Sequence, residues 1–284
     1  MSKISNLAVV DPSAQIASGV TIGPFCVIGP DVVIGDGCEL ANNVTINGRT
    51  QIGRNNIFYQ NAVIGEAPQD LKYNGEPTET IIGHGNVFRE NCTVHRGTKN
   101  GGGKTVIGDD NLFMAAVHVA HDCILADKIL LGNQTLLAGH ITIETGAAIS
   151  ALVGIHHFVT IGKFSYIGGI TPVRRDVPPF VRFSGDPNKV RSVNSEGLKR
   201  NGFTEEEIDE IKQAFRQLFR RGNSIASNVQ ELLAQDDLGR HARYLCEFMQ
   251  RSCHSRLGRY QETFRQDNPQ DRLRRRPAEV RNKS

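Results

Sequence analysis

Large aliphatic or aromatic residues recur at every sixth position along most of this chain, a spacing that belongs neither to a helix nor to a lone strand. The series runs Val10, Ile16, Ile22, Ile28, Ile34, Leu40, Ile46, Ile52, Phe58 and Ile64. It resumes at Ile82, Phe88 and Val94, and again from Ile107 and Phe113 at the same spacing to Ile161 and Ile167. The next residue in each hexad is usually small, as in Gly23, Gly29, Gly35, Gly53, Gly108, Gly132 and Gly162. Four residues after the key position sits a compact one, as in Val20, Cys26, Val32, Cys38, Val44, Cys92 and Cys123. A helix repeats every 3.6 residues and a half-buried strand every two. A period of six fits a short strand plus a corner, three of which close a triangular coil of about 18 residues. The key residue fills the prism, and the small residue beside it permits a corner where a bulky side chain would crowd the backbone. Coils stacked about 4.8 Å apart satisfy each other's backbone groups, giving a solenoid. The period alone leaves the hand of the coil open.

A coil cannot absorb extra residues without expelling a loop. The two breaks in the period therefore predict inserted loops at about 66–80, with Ala67-Pro68-Gln69-Asp70-Leu71-Lys72-Tyr73, and at about 96–105, with Gly101-Gly102-Gly103. Loops on a rigid scaffold commonly carry binding residues, although a tolerated surface insertion has the same composition. The repeat is expected to end near Pro172, because Pro178-Pro179 cannot continue a ladder. Thr204-Glu205-Glu206-Glu207 then offers a capping box before an apolar stripe, Ile208, Ile211, Phe215, Leu218 and Phe219. Gly222 is a plausible stop, and 227–233 and 240–249 suggest further short helices. The expected organisation is a β-helix over 1–190, a helical part over 191–255 and a basic tail over 256–284. That tail, with Arg272, Arg274, Arg275, Arg276 and Arg281, has the composition of a disordered, solvated extension.

A net charge of +3 does not suggest nucleic-acid binding, and no apolar run is long enough to span a bilayer. Met1-Ser2-Lys3-Ile4 begins no apolar signal region, and six cysteines without CxxC pairs suggest neither a disulfide framework nor a zinc site, so a cytoplasmic setting is expected. The cysteines fill compact hexad slots and read as core residues rather than nucleophiles. Histidines gather in the second half of the prism: His95, His118, His121, His140, His156 and His157. At 18 residues per coil, His121, Gly139 and His157 share one column, flanked by His140 and His156. Such a cluster could bind metal, but no second motif of the HExxH kind supports that. It could equally supply a general base, and Asp122 directly follows His121 to orient its ring. The bland alternative is a polar corner residue bonded to backbone, which is the favoured reading for His84 and His157.

The hexads resemble those of the hexapeptide-repeat acyltransferases, which implies a left-handed parallel β-helix and a homotrimer. The loops narrow the resemblance. Ala67–Tyr73, His95-Arg96-Gly97-Thr98 with Gly101–Gly103, His118-Val119-Ala120-His121-Asp122-Cys123 and Asn194-Ser195-Glu196-Gly197-Leu198-Lys199-Arg200 together resemble the UDP-N-acetylglucosamine O-acyltransferases that use acyl carrier protein. The resemblance covers about residues 5–250. It implies transfer of a 3-hydroxyacyl chain to the sugar 3-hydroxyl at the first step of lipid A biosynthesis, with no cofactor or metal.

Carried over by position, the resemblance makes His121 the general base, Asp122 its support and the Gly139 N–H the oxyanion donor. Lys72, His95, His118, His140 and His156 become contacts to substrate, and Asp70 a partner for the acyl 3-hydroxyl. Gln69, Asn194, Glu196 and Arg200 take the nucleotide end. Gly168 and Gly169 match a corner that limits acyl length, with His157 beside the acyl groove. Three positions depart from the family pattern: Asn201 replaces a frequent second Arg, His157 replaces a frequent Gln, and the Arg-rich tail extends further. The family's sites lie between subunits.

Three other readings share features with this one. N-acylation of a 3-amino UDP-sugar would use the same scaffold. The sister N-acyltransferases carry an N-terminal uridine-binding domain, whereas hexads here begin by Val10. A carbonic anhydrase would need three histidines bridging a metal between subunits, and a scaffold protein would bind no UDP-sugar.

Overall fold

The computed structural model describes residues 2–255 and 257–265. Short strands, mostly two residues long, form three parallel sheets that are the faces of a left-handed prism. The first face starts with Lys3–Ile4, the second with Val9–Val10 and the third with Gln15–Ile16. Successive coils pair key residue on key residue, Ile4 with Ile22 and Ile155 with Val173. Register survives both insertions, because Ile52 pairs with Ile82 and Ile82 with Ile107. The key residues are buried from Ile22 onward, while Val10 and Ile16 at the open first coil are only partly covered.

The compact slot also contains asparagines, and these explain how register holds where the loops leave. Asn56, Asn86 and Asn111 stack inside one corner. Oδ1 of Asn56 accepts from both N and Nδ2 of Asn86, at 2.9 Å each. Asn86 Oδ1 accepts in the same way from Asn111, and Asn86 Nδ2 also donates to the Gly108 carbonyl at 2.9 Å. Asn86 is therefore satisfied by the coils above and below, while Asn56 Nδ2 also donates to the Gly53 carbonyl of its own coil at 3.0 Å. Phe58, Phe88 and Phe113 stack alongside with ring centroids 4.9 and 4.5 Å apart.

The corner itself differs from expectation in one respect. The left-handed backbone conformation falls three residues after the key aliphatic, at Asn43, Asn55, Asn61, Asn91, Asp122, His140 and Phe158 among others. Asn and Asp tolerate it best, since their short polar side chains bond locally. The small residue directly after the key position makes room for the neighbouring coil instead. A Cβ on Gly23 would lie 2.7 Å from the Ala41 carbonyl oxygen, and one on Gly35 2.7 Å from that of Gly53. Smallness there is required by the next coil rather than by φ.

The ladder also outlasts its expected end. Pro172–Val173 is the last strand of the second face, where a missing N–H costs no ladder bond. Pro178-Pro179 sits in a corner, after which Val181–Ser184 pairs in parallel with Tyr166–Ile167 and folds back antiparallel onto Lys189–Val193. Four helices follow: α1 (Ser195–Arg200), α2 (Glu205–Arg220), α3 (Ile225–Leu233) and α4 (Arg240–Cys253). The capping box forms as expected: Glu207 N donates to Thr204 Oγ1 at 3.2 Å and Thr204 N to Glu207 Oε2 at 3.0 Å. No described helix is long and apolar enough to cross a membrane.

The expected boundary of a solvated tail at 256 needs correction. Residues 257–265 pack back on the prism through a 3-10 turn, Tyr260–Phe264, and Arg259 is buried. The tail arginines from Arg272 onward lie outside the described residues. Replacing Asn86 with Val, the shape used elsewhere in that slot, strands the Asn111 backbone N–H, Asn111 Nδ2 and the Gly108 carbonyl. Three buried groups without these partners predict a loss of about 3 kcal/mol or more, read as an earlier chemical-denaturation midpoint; an unchanged midpoint would remove the ladder from its stabilising role.

Candidate active site

The corner between the second and third faces gathers the histidines. Coil stacking there superposes Asp122, His140 and Phe158, all with left-handed backbone. The neighbouring column brings Gly139 against His121, whose Cε1 would lie 2.5 Å from a Cβ on that glycine. Only a residue without a side chain leaves the ring its place. Among the described residues, the Gly139 N–H donates to no backbone carbonyl, whereas His140 N bonds the His121 carbonyl at 3.0 Å.

His121 and Asp122 are hydrogen-bonded to each other at this corner. His121 Nδ1 donates to Asp122 Oδ2 at 2.8 Å, in a setting where both side chains are almost fully covered. An ionised carboxylate only accepts, so this bond puts the ring proton on Nδ1 and leaves the Nε2 lone pair available. Asp122 is itself pinned by the second loop. Thr98 N donates to Oδ1 at 2.8 Å, Thr98 Oγ1 donates to Oδ2 at 2.6 Å, and Asp122 N donates to Thr105 Oγ1 at 2.9 Å. A Cβ on Gly101 would collide with the Asp122 carboxylate. The second insertion is thus the clamp over Asp122.

His140 stands edge-on to His121, with centroids 5.1 Å apart, and lies flat on Phe158 at 4.5 Å. His121, Asp122 and His140 also present ligand atoms within 4.8 Å of one another, a spacing open to a metal ion. The carboxylate oxygens there already accept three hydrogen bonds, from Thr98 twice and from His121. Oδ2, the oxygen nearest both imidazoles, has both lone pairs engaged by Thr98 Oγ1 and His121 Nδ1, so the arrangement suits ring orientation better than coordination.

Two grooves flank the corner. The larger, about 460 Å³, lies on the second face between His118, His121, His156 and His157, with Gly139, Leu136 and Gly154 in its floor. The smaller, about 260 Å³, lies toward the third face and is lined by Asp70, Lys72, Asp122, His140 and Phe158. The first loop divides between them, Gln69 reaching the larger groove and Asp70 and Lys72 the smaller. His118 Nδ1 is 2.7 Å from Thr93 Oγ1, and His156 Nδ1 is 3.2 Å from the His157 carbonyl. His95 lies beneath, buried and edge-on to His118. His84 is remote, its Nδ1 accepting from Arg54 N at 2.8 Å, in keeping with a corner role.

Not every expected site residue joins these grooves within one chain. Asn194, Glu196 and Arg200 line neither; they sit at α1, where Asn194 Nδ2 donates to the Phe164 carbonyl at 3.0 Å. Phe164 belongs to the corner between the third and first faces, a full face away from His121. Gly168 and Gly169 lie at the opposite edge of the second face, just before Pro172–Val173. Gly169 is exposed, and a Cβ there would lie 3.3 Å from the Ala151 carbonyl oxygen, so a side chain fits once that neighbour gives by a few tenths of an ångström.

Burial controls the other titrating groups. It pushes the Cys92 thiol up to about 11 and Cys123 to about 12, so neither supplies a thiolate, as their hexad slots imply. Burial foremost, with the charges of His118 and His121 behind it, brings His95 down to about 4. Its Nδ1 is buried without a hydrogen-bond partner among the described residues.

Residues 176–258 match the family described as UDP N-acetylglucosamine O-acyltransferase, domain 2, and residues 13–48 and 31–66 match the bacterial transferase hexapeptide family. A Halorhodospira halophila protein named acyl-[acyl-carrier-protein]–UDP-N-acetylglucosamine O-acyltransferase is 46% identical over 235 residues, 83% of this chain and 91% of its own. The protein of that name from Stutzerimonas stutzeri is 43% identical over 232 residues, 82% of this chain and 90% of its own. The solved Francisella novicida UDP-N-acetylglucosamine acyltransferase superposes with a TM-score of 0.81 at 38% identity, over 86% of this chain and 90% of its own.

A His whose folded value lies below its ordinary 6.5 binds its proton more weakly than in the unfolded chain. Its neutral form therefore stabilises the fold above about pH 6.5, and that contribution is lost as pH falls toward 4. An imidazole NMR titration of His95 is expected to show a midpoint near 4; a midpoint near 6.5 would contradict its burial.

Proposed function

The chain belongs to the UDP-N-acetylglucosamine O-acyltransferase family and transfers an acyl group from acyl carrier protein to UDP-N-acetylglucosamine, and we propose that it does so with His121 as general base. In this reading the acyl group is a 3-hydroxyacyl chain and the acceptor atom is the sugar 3-hydroxyl, which places the reaction at the first step of lipid A synthesis.

The observation that carries the proposal is the pinned His121–Asp122 pair beside Gly139. Nε2 takes the hydroxyl proton as the sugar oxygen attacks the thioester carbonyl carbon. Asp122, bonded to Nδ1, stabilises the imidazolium that forms, and its own bonds to Thr98 keep it from turning away. The negative charge moves to the former carbonyl oxygen, where the Gly139 N–H is available to donate. Collapse re-forms the carbonyl and breaks the C–S bond, and the imidazolium returns its proton to the departing thiolate. Acid and base are thus the same ring at two stages.

The two grooves fit the two substrates. Leu136, Gly154 and Pro172 give the larger one an apolar floor suited to an acyl chain, with His157 at its side and Gly168 and Gly169 at the far edge of the face. Asp70 and Lys72 give the smaller one polar contacts near His140. His95, His118, His140 and His156 surround the junction as substrate contacts or their supports. Asn194, Glu196 and Arg200 lie a face away in their own chain, which supports a site completed by the same residues of a neighbouring copy in a homotrimer. Gln69, expected with them, instead lines the larger groove. The described cysteines are all free thiols, in keeping with a reducing cytoplasm.

His121→Ala is expected to lower turnover by about two to four decades, the range for loss of a general base, with assembly size unchanged by sedimentation. Turnover within a few-fold of the unaltered enzyme would take that role from His121.

A further inference from the structure

Between Ala67 and Pro77 the first loop buries only Pro68, and Leu71 is 73% exposed. Too little apolar surface is covered there to offset the entropy of ordering such a run. Yet Gln69, Asp70 and Lys72 from this run line the two grooves. Polar bonds therefore hold it, and they converge on Tyr73. Tyr73 N donates to the Asp70 carbonyl at 3.0 Å and Lys72 N to Asp70 Oδ1 at 3.1 Å, so these residues form one turn. The Tyr73 hydroxyl donates to the Glu76 carbonyl at 2.8 Å, closing the far side of the loop.

Arg96 ties that turn to the prism. Its Nε donates to the Tyr73 hydroxyl at 3.0 Å and its Nη1 to the Gly65 carbonyl at 2.8 Å, at the point where the loop leaves the second face. Arg96 N also donates to the Glu66 carbonyl, at 3.1 Å. The side chain passes over Gly48, where a Cβ would lie 2.8 Å from Nη1. One guanidinium thus spans the root and the middle of the loop, a reach that needs donors set in a rigid plane. Two residues further on, Thr98 holds Asp122. The segment 95–98 therefore carries two grips, one on the first loop and one on the carboxylate behind His121.

We propose that Arg96 is a positioning residue for substrate binding: it presets the loop that carries Gln69, Asp70 and Lys72, while Thr98 serves the chemical step. This rests on the acyltransfer reading. A loop ordered before substrate arrives adds no ordering cost to binding, so releasing it weakens affinity and leaves the chemistry alone. The loop reaches both grooves, and Arg96→Gln is therefore expected to raise the KM of each substrate about tenfold with kcat kept within about threefold. Tyr73→Phe, which removes only the hydroxyl, should move KM the same way by a smaller factor. The double variant should show less than the product of the two rises, because both changes act on one bond. Amide hydrogen exchange over 67–78 in the full-length enzyme should quicken in both single variants, a readout that needs no turnover. If the unaltered enzyme transfers no acyl group, the acyltransfer reading fails and exchange alone decides the role of Arg96. Unchanged exchange in the loop would overturn the proposal in either case, and so would a fall in kcat at constant KM.

Discussion

Each coil of the prism is hydrogen-bonded strand on strand to the coil above and the coil below, and the rest of the molecule is attached to that ladder. Parallel pairing stacks chemically equivalent positions in columns, so a change at one corner propagates directly to the next coil. The insides of the columns are filled by aliphatics, with the asparagine and phenylalanine stacks where the two loops leave. Outside, the same repetition sets Asp122, His140 and Phe158 in line, and sets Gly139 against the His121 ring. Site precision here comes from the backbone ladder, not from any one side-chain contact. The insertions add what a repeat cannot: Thr98, arriving from outside the coil, is what fixes the carboxylate.

Much of this is legible in the sequence because the period is physical rather than statistical. The core residues, the two loops and the column of His121 and Gly139 all follow from counting sixes and eighteens, and the helix cap at Thr204 from its Thr-x-x-Glu spacing. The nature of the cysteines follows as well, since a residue in the compact slot points inward. Where counting misleads, the reason lies between coils. The glycines after the key residue are small because atoms of the next coil lie within 3 Å of their missing Cβ, and no single hexad reveals that. Pro178-Pro179 reads as a terminator until it is seen at a corner, after which Val181–Ser184 adds one more strand to the first face.

The site is only partly legible for a related reason. Phe158 could be found by counting, being one coil beyond His140, but its role as the surface for that ring is a tertiary fact. Thr98 stands in a recognised motif without an assigned partner, and its two bonds to Asp122 depend on how the Gly101–Gly103 turn folds back. Gln261, Phe264 and Arg265 line the smaller groove but carry no signal at all, since they fall in a stretch whose composition resembles a solvated tail. Their attachment depends on Thr142, Thr160 and Asp176, outward-facing positions 84 to 119 residues away along the chain. Conversely, Asn194, Glu196 and Arg200 are placed away from His121, as expected if the repeat builds half of a site and a second copy supplies the other half.

The central claim is that a metal-free His–Asp pair on this corner drives acyl transfer to a nucleotide sugar. The most direct measurement is transfer of 3-hydroxyacyl groups of graded length from acyl carrier protein to UDP-N-acetylglucosamine in the presence of a strong chelator. Formation of the 3-O-acyl product, with a clear optimum in chain length and no response to the chelator, is the predicted result. Absence of product at every length, or activity that disappears with the chelator and returns with added zinc, would contradict it.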